Sequence, residues 1–202
     1  MTGFRVLHVC TGNVCRSPMA ERLTTAGLTA RLGAAGGDVV VTSAGTWGHT
    51  GSPMEADALA TLQTYGLDGS DFRARELVAE HVVAADLVLG ATREHRAAAV
   101  VLQPRAAART FTLREFARLV RAVDLAQLPD GDVAERARAL VRLAAARRGS
   151  VAAATADDDL ADPYHAPLSA FAACAALVTE ALAGPLDLLA GVHASRPAPG
   201  RA

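Results

Sequence analysis

Cysteine is scarce in this chain, with three among 202 residues, at positions 10, 15 and 174. That is too few for a disulfide scaffold, which excludes the small stapled secreted folds and points to a reduced, cytoplasmic protein. Excess charge is also missing. A formal net charge of −1 offers no whole-molecule pull towards nucleic acid or an anionic membrane, so neither is expected as a partner. Long apolar runs are absent too. FRVLHV, residues 4–9, is too short for the apolar part of a secretory signal and carries His8. AFAACAALV, residues 170–178, gives way to Thr179 and Glu180 and is too short to span a bilayer. Apolar residues are plentiful, at 51%, against 20% charged, and much of that share is alanine, a strong helix former. Such a chain can bury one good-sized core. Residues 1–192 read as a single domain, and residues 193–202, ASRPAPGRA with its preceding histidine, as a disordered tail.

Apolar periodicity alternates between strand and helix along the chain. RVLHV (5–9) reads as a buried strand, followed by the turn TGNV and a helix opened by Pro18 and ended by GAAGG (33–37). DVVVTSAGT (38–46) reads as a second strand, and residues 54–65 as a helix. A short helix and then a strand at DLVLG are expected within 77–92, a helix over 93–103, a fourth strand at RTFTL (109–113), and helix again through REFARLV. The character changes over about 122–158. ERARALVRLAAARR reads as a basic amphipathic helix with a solvated arginine face, and the DDD run at 157–159 as a solvated loop. A last helix over 168–190 carries Gly184-Pro185, where a break is expected. Alternating strands and helices imply an α/β fold: a parallel four-stranded sheet, Rossmann-like and three-layered, with helices on both faces and an added helical segment near 122–158. Ligands in such folds bind beyond the C-terminal ends of the strands, and Cys10 stands at the end of the first.

The loop VCTGNVCRSP (9–18) joins that strand to a helix. Free N–H groups at a helix start and the helix dipole favour an anion there. Gly12 lets the backbone curl and Asn13 tolerates left-handed geometry. The GK[ST] ending of the nucleotide-binding loop is missing. A field that holds phosphate also favours a thiolate, which makes Cys10 the candidate nucleophile. Arg16 presents a planar fork matched to two phosphate oxygens, and Ser17 can donate a hydrogen bond to the Cys10 thiolate. Such an attack needs an acid for the leaving oxygen. Asp162, in ADPYHAP (161–167), is the candidate, with Tyr164 as an aromatic wall beside it.

The pattern C-T-G-N-V-C-R-S-P with a late D-P-Y resembles the low-molecular-weight protein tyrosine phosphatases. PMAE (18–21), TSAGTWG (42–48), FRARELV (72–78) and DLVLGATREH (86–95) extend the resemblance. It implies that Cys10 takes the phosphoryl group while Asp162 protonates the leaving group and then activates water. Arg16 and the loop Thr11, Gly12, Asn13, Val14, Cys15 and Ser17 would hold the phosphate oxygens. Trp47 and Tyr164 would line the substrate cleft, and Asn13 with Ser43 would brace the loop. No metal or other cofactor is implied. The expected substrate is a phosphorylated protein or a small phosphate ester; the oligomeric state is not legible.

Departures from the family pattern bear on substrate choice. Phe72 stands where relatives often carry His, which removes one hydrogen bond bracing the loop. The third strand ends GAT in place of a Met-Asp pair, and His165 replaces a second aromatic after Asp-Pro-Tyr. Relatives acting on phosphoarginine tend to have Thr at the position of Val14; valine there favours an aryl ester such as phosphotyrosine. An arsenate reductase on the same fold is the alternative, through an external thiol, since no relay cysteines lie within 77–95. A dead phosphate sensor would lack Cys10, Arg16 or Asp162. Cys15 reads either as a small core residue or as a partner that protects Cys10 from overoxidation. Cys174 reads as core. Zinc on Cys10, Cys15 and His8 lacks a second ligand cluster.

Overall fold

Strand β1, Phe4–Cys10, is buried along its whole length except at Arg5. Its side chains alternate between faces as the pleat requires. Phe4, Val6 and Cys10 join one apolar cluster, while Leu7 and Val9 join another on the opposite face. A strand apolar on both faces belongs inside a parallel sheet covered by helices. The computed structural model describes residues 3–151 and 158–191 and has that architecture. Four strands, β1, β2 (Val39–Gly45), β3 (Leu87–Gly90) and β4 (Thr110–Thr112), form an all-parallel sheet in the order β2-β1-β3-β4.

The chain lays α1 (Arg16–Leu32) after β1 and α2 (Ala56–Thr64) after β2. It continues through α3 (Ala79–Ala84), β3, α4 (Arg93–Leu102), β4 and α5 (Leu113–Val120). The smaller apolar cluster packs Val82 of α3 and Ala99 of α4 against Leu7, Val9 and Val88. The larger one packs α1, α5, α6 (Val133–Ala146) and α7 (Leu168–Leu189) on the other face. Phe111 of β4 is fully buried there and stacks obliquely on Phe116 at 5.2 Å. A buried aromatic of this kind contributes about 1.5–3 kcal/mol by leaving water.

Three expectations are corrected. The helix of the 122–158 segment does not present its arginines to solvent alone. Ala137, Leu140, Val141 and Ala144 of α6 are core residues. The arginines staple the helix down: Arg136 donates to Leu188 O at 2.7 Å, and Arg148 donates to Glu115 Oε1 at 3.0 Å while lying over the Phe111 ring at 3.9 Å. The last helix is not broken at Gly184-Pro185. α7 runs through it, because Pro185 suits helical φ and costs one N–H bond, while Leu182, Pro185 and Leu186 are all buried. The 170–178 run is therefore part of a 22-residue helix that by length and composition could cross a membrane. Its apolar side is instead spent in the core, where Phe171, Ala175 and Val178 are buried. The tail expected over 193–202 and residue Asp157 of the acidic run lie outside the described residues.

Candidate active site

β1 is flanked by β2 on one side and β3 on the other, so a crevice opens at its C-terminal end. Cys10 is the last residue of β1 and α1 begins at Arg16. The loop between them is turned inside out by its surroundings. The carbonyls of Cys10, Thr11, Gly12 and Val14 accept bonds from the backbone N–H groups of Thr46, Trp47, His49 and Glu55 at 2.9–3.0 Å. Because a trans peptide sets C=O and N–H on opposite sides, the N–H groups of those peptides face inward. Together with the first turn of α1, which has no acidic residue and no side-chain cap, they make a positive concavity.

Two residues allow this curl. Asn13 takes the left-handed backbone, φ 56°, that the sequence suggests for it. At Gly45 the chain passes so close to the loop that a Cβ would lie 2.4 Å from Thr11 O. Gly12 is not left-handed; a Cβ there would sit 3.5 Å from His49 Nε2, filling space over the loop.

Behind the loop lies a buried polar network. Asn13 Nδ2 donates to Ser17 Oγ and to Ser43 Oγ, each at 2.9 Å. With that bond accepted, the Ser17 hydroxyl can give its own proton to Cys10 Sγ, 3.0 Å away. Ser43 in turn donates to Glu21 Oε2 at 2.7 Å, and burial raises the Glu21 pKa. The brace missing at Phe72, which is buried in the core, is supplied by Arg75. Its backbone N–H meets Asn13 Oδ1 at 2.9 Å, and its Nε donates to Ser43 O at 2.7 Å.

Above the loop, Arg16 is the hub. It is buried, and its Nη2 donates to Thr11 Oγ1 at 3.1 Å and to Asp162 Oδ2 at 2.5 Å, while Nη1 donates to Leu160 O at 3.2 Å. The Asp162 side chain is 45% exposed, so the carboxylate stands at the rim. Cys10, Thr11, Gly12, Val14, Cys15, Arg16, His49, Asp162 and Tyr164 line one cavity of about 120 Å³. Asn13, Ser17 and Ser43 lie behind it as supports. Cys10 is only 2% exposed, at the bottom. Burial and the neighbouring Cys10 push the Cys15 thiol far above its ordinary pKa, and burial moves Cys174 to about 11.

Trp47 is placed differently from the expectation. Its side chain is 81% exposed and lies outside the cavity lining. His49, two residues on, takes the wall opposite Tyr164, with ring centroids 6.5 Å apart and edge to face. Neither His49 nor His95 was singled out as a site residue. His95 Nε2 lies 3.0 Å from Thr11 Oγ1, and its Nδ1 lies 2.7 Å from Thr92 Oγ1. Burial and the nearby Arg16 lower its pKa to about 4, so the ring is neutral. His8 is not placed as a ligand: it is buried against Thr24 Oγ1 at 2.9 Å.

This geometry can hold a tetrahedral anion against a thiol with an acid at hand. The comparisons agree. The sequence model for low molecular weight phosphotyrosine protein phosphatase matches residues 5–143. The Low molecular weight protein-tyrosine phosphatase A of Mycobacterium tuberculosis is 45% identical over 92 residues, 45% of this chain and 53% of that protein. The chain thus spans about half the length of the first curated relatives it matches. A Protein-arginine-phosphatase of Geobacillus stearothermophilus is 37% identical over 113 residues, 56% of this chain and 71% of that protein. Among solved structures, the low molecular weight protein tyrosine phosphatase from T. tengcongensis superposes with a TM-score of 0.66 at 30% identity, over 92% of this chain and 99% of that one. At 92% of this chain, that superposition extends beyond residue 143, where the match to the sequence model ends. A matching phosphate-type loop, the parallel sheet that carries it and a family model covering most of the chain lead to one conclusion: this chain belongs to the low molecular weight phosphotyrosine protein phosphatase family.

Proposed function

We propose that this chain is a cysteine-dependent phosphatase that hydrolyses aryl phosphate monoesters, with phosphotyrosine in proteins as the principal substrate class. The observation that carries the reading is the meeting of Cys10, Arg16 and Asp162 around one cavity. In the first step the Cys10 thiolate attacks phosphorus. An S–P bond forms, the P–O ester bond breaks, and Asp162 gives its proton to the departing oxygen. In the second step Asp162 takes a proton from water as that water attacks phosphorus. The S–P bond breaks, inorganic phosphate leaves, and the Ser17 hydroxyl receives the returning thiolate. Arg16 and the inward N–H groups hold the non-bridging oxygens throughout, as preorganised donors. A free cysteine nucleophile suits a reduced, cytoplasmic setting.

The first experiment is hydrolysis of p-nitrophenyl phosphate at mildly acidic pH, without metal, by reduced wild type and by Cys10→Ser. Turnover that vanishes in the variant is the expected result. No turnover in the wild type would overturn the reading and shift weight to arsenate reduction through an external thiol.

A second substrate, phosphoarginine, is favoured by the Protein-arginine-phosphatase relative. Val14 favours phosphotyrosine, since it lines the cavity and carries no hydroxyl to meet a guanidinium. Val14→Thr should raise phosphoarginine turnover relative to phosphotyrosine. An unchanged ratio would remove Val14 from the argument.

A further inference from the structure

The acidic run before Asp162 is anchored residue by residue. Asp158 is 8% exposed and forms a fork with Arg118 of α5: Nη2 to Oδ2 at 2.8 Å and Nε to Oδ1 at 3.3 Å. Arg118 Nη1 also donates to Val151 O at 3.2 Å, so one guanidinium ties down the chain both where it leaves α6 and where it returns. Asp159 accepts from three donors of Arg93: the backbone N–H at 2.8 Å, Nη2 at 3.0 Å, and Nε at 3.2 Å to one oxygen and 3.3 Å to the other. It therefore also caps the first turn of the ten-residue helix α4, where a carboxylate is favoured. Leu160 N–H donates to Ala91 O at the end of β3, at 2.8 Å, and Leu160 O accepts from Arg16. Asp162 follows two residues later.

We infer that Arg118 and Arg93 are positioning residues for Asp162. Their pairs with Asp158 and Asp159 set the acid loop over the cavity in the unliganded protein. The inference rests on Asp162 acting as the acid in the proposed reaction. Asp162 itself has little to hold it. Its side chain touches Arg16, which must turn to phosphate when substrate enters, and among the described residues its other oxygen accepts only from Tyr164 N–H at 3.3 Å. Fixation from the preceding residues keeps the carboxyl near the leaving oxygen once Arg16 is occupied. An acid held within a fraction of an ångström of its task retains its rate advantage, and one left loose does not. Two clamps on two helices also explain why a chain with an added α6 still returns to the cavity: α5 and α4 supply fixed cations where the excursion ends.

The test is the dependence of kcat/KM on the leaving group, because hydrolysis of the phosphocysteine, common to both esters, enters kcat but not kcat/KM. Phenyl phosphate needs its leaving oxygen protonated, and p-nitrophenyl phosphate needs this far less. Asp162→Asn should lose on the order of 100-fold more kcat/KM on phenyl phosphate than on p-nitrophenyl phosphate. Arg118→Met and Arg93→Met should each show the same bias, at roughly three- to tenfold, with the inhibition constant of inorganic phosphate little changed. Arg118→Lys, which keeps the charge but not the fork, should recover part of it. Arg118 is largely buried, and its removal could unfold the protein. Arg93→Met and Asp159→Asn break the more open pair, with side chains 49% and 31% exposed, and keep the test alive. Thermal melts establish that each variant is folded. A bias in Asp162→Asn with equal losses on both esters in the folded clamp variants overturns the inference alone. No bias in Asp162→Asn overturns the acid assignment and the clamps with it.

Discussion

Arg16 Nη2 lies 2.5 Å from Asp162 Oδ2 and joins two residues 146 positions apart in the chain. The contact places the candidate acid over the candidate nucleophile. It also means that the guanidinium in the unliganded protein is occupied by the group that substrate phosphate must displace.

Arg16→Lys should therefore be far from conservative. A lysine ammonium cannot reach Thr11, Leu160 and Asp162 as the arginine fork does. We expect kcat for p-nitrophenyl phosphate to fall about 100-fold or more, as for loss of one preorganised oxyanion donor. The inhibition constant of inorganic phosphate should rise with it. A kcat within threefold of wild type would remove Arg16 from the transition-state contacts.

Gly45→Ala should damage the site without replacing any polar side chain. The added Cβ would lie 2.4 Å from Thr11 O and 2.8 Å from Asn13 N, both backbone atoms of the loop. We expect a stability loss of about 1–3 kcal/mol by urea unfolding and at least a tenfold loss of turnover, because the N–H groups that face phosphate move with the clash. Full activity in a folded Gly45→Ala protein would show that the loop tolerates displacement.

Acid should weaken the fold through His8. The ring is buried, and burial lowers its pKa from 6.5 to about 3. A folded-state value below the unfolded one means that the unfolded chain takes up the proton first. The stability is thus complete above pH 6.5 and is lost as pH falls towards about 3. At about pH 4.5 the loss approaches ~2.7 kcal/mol, two units at 1.36 kcal/mol each. His95, lowered to about 4, acts in the same direction. His8→Leu removes the larger share and leaves Thr24 donating to Ala20 O at 2.6 Å. Urea unfolding at about pH 7 and pH 4.5 should show a smaller drop in the variant. Equal drops in the two proteins would place the acid sensitivity elsewhere.

Much of the site was legible because its parts are close in sequence. Cys10, Asn13, Arg16 and Ser17 fall within one strand-turn-helix step, and a left-handed Asn beside a glycine is a local signal. The third strand and the helix after it follow from apolar spacing, and the structure adds that Thr92 caps α4 through its side chain. His49 and Trp47 were not separable on such grounds. Both sit in one loop, and which of them meets Tyr164 depends on how residues 46–49 hydrogen-bond along the phosphate loop. The arginines of α6 and the aspartates at 158 and 159 looked solvated because charge on an amphipathic helix or in a loop usually is.

The sequence by itself determined the local matters: the alternation that buries β1 on both faces, the turn chemistry of the phosphate loop, and the presence of an acid after an excursion near 122–158. Those depend on propensities and spacings over a few residues. The tertiary structure alone decided the pairings across long separations. Arg118 meets Asp158 over 40 residues, Arg93 meets Asp159 over 66, and Arg16 meets Asp162 over 146. The strength of such a pair depends on burial and on the elements that carry its two ends. Neither exists until the sheet has formed and α4, α5 and α7 have closed over it.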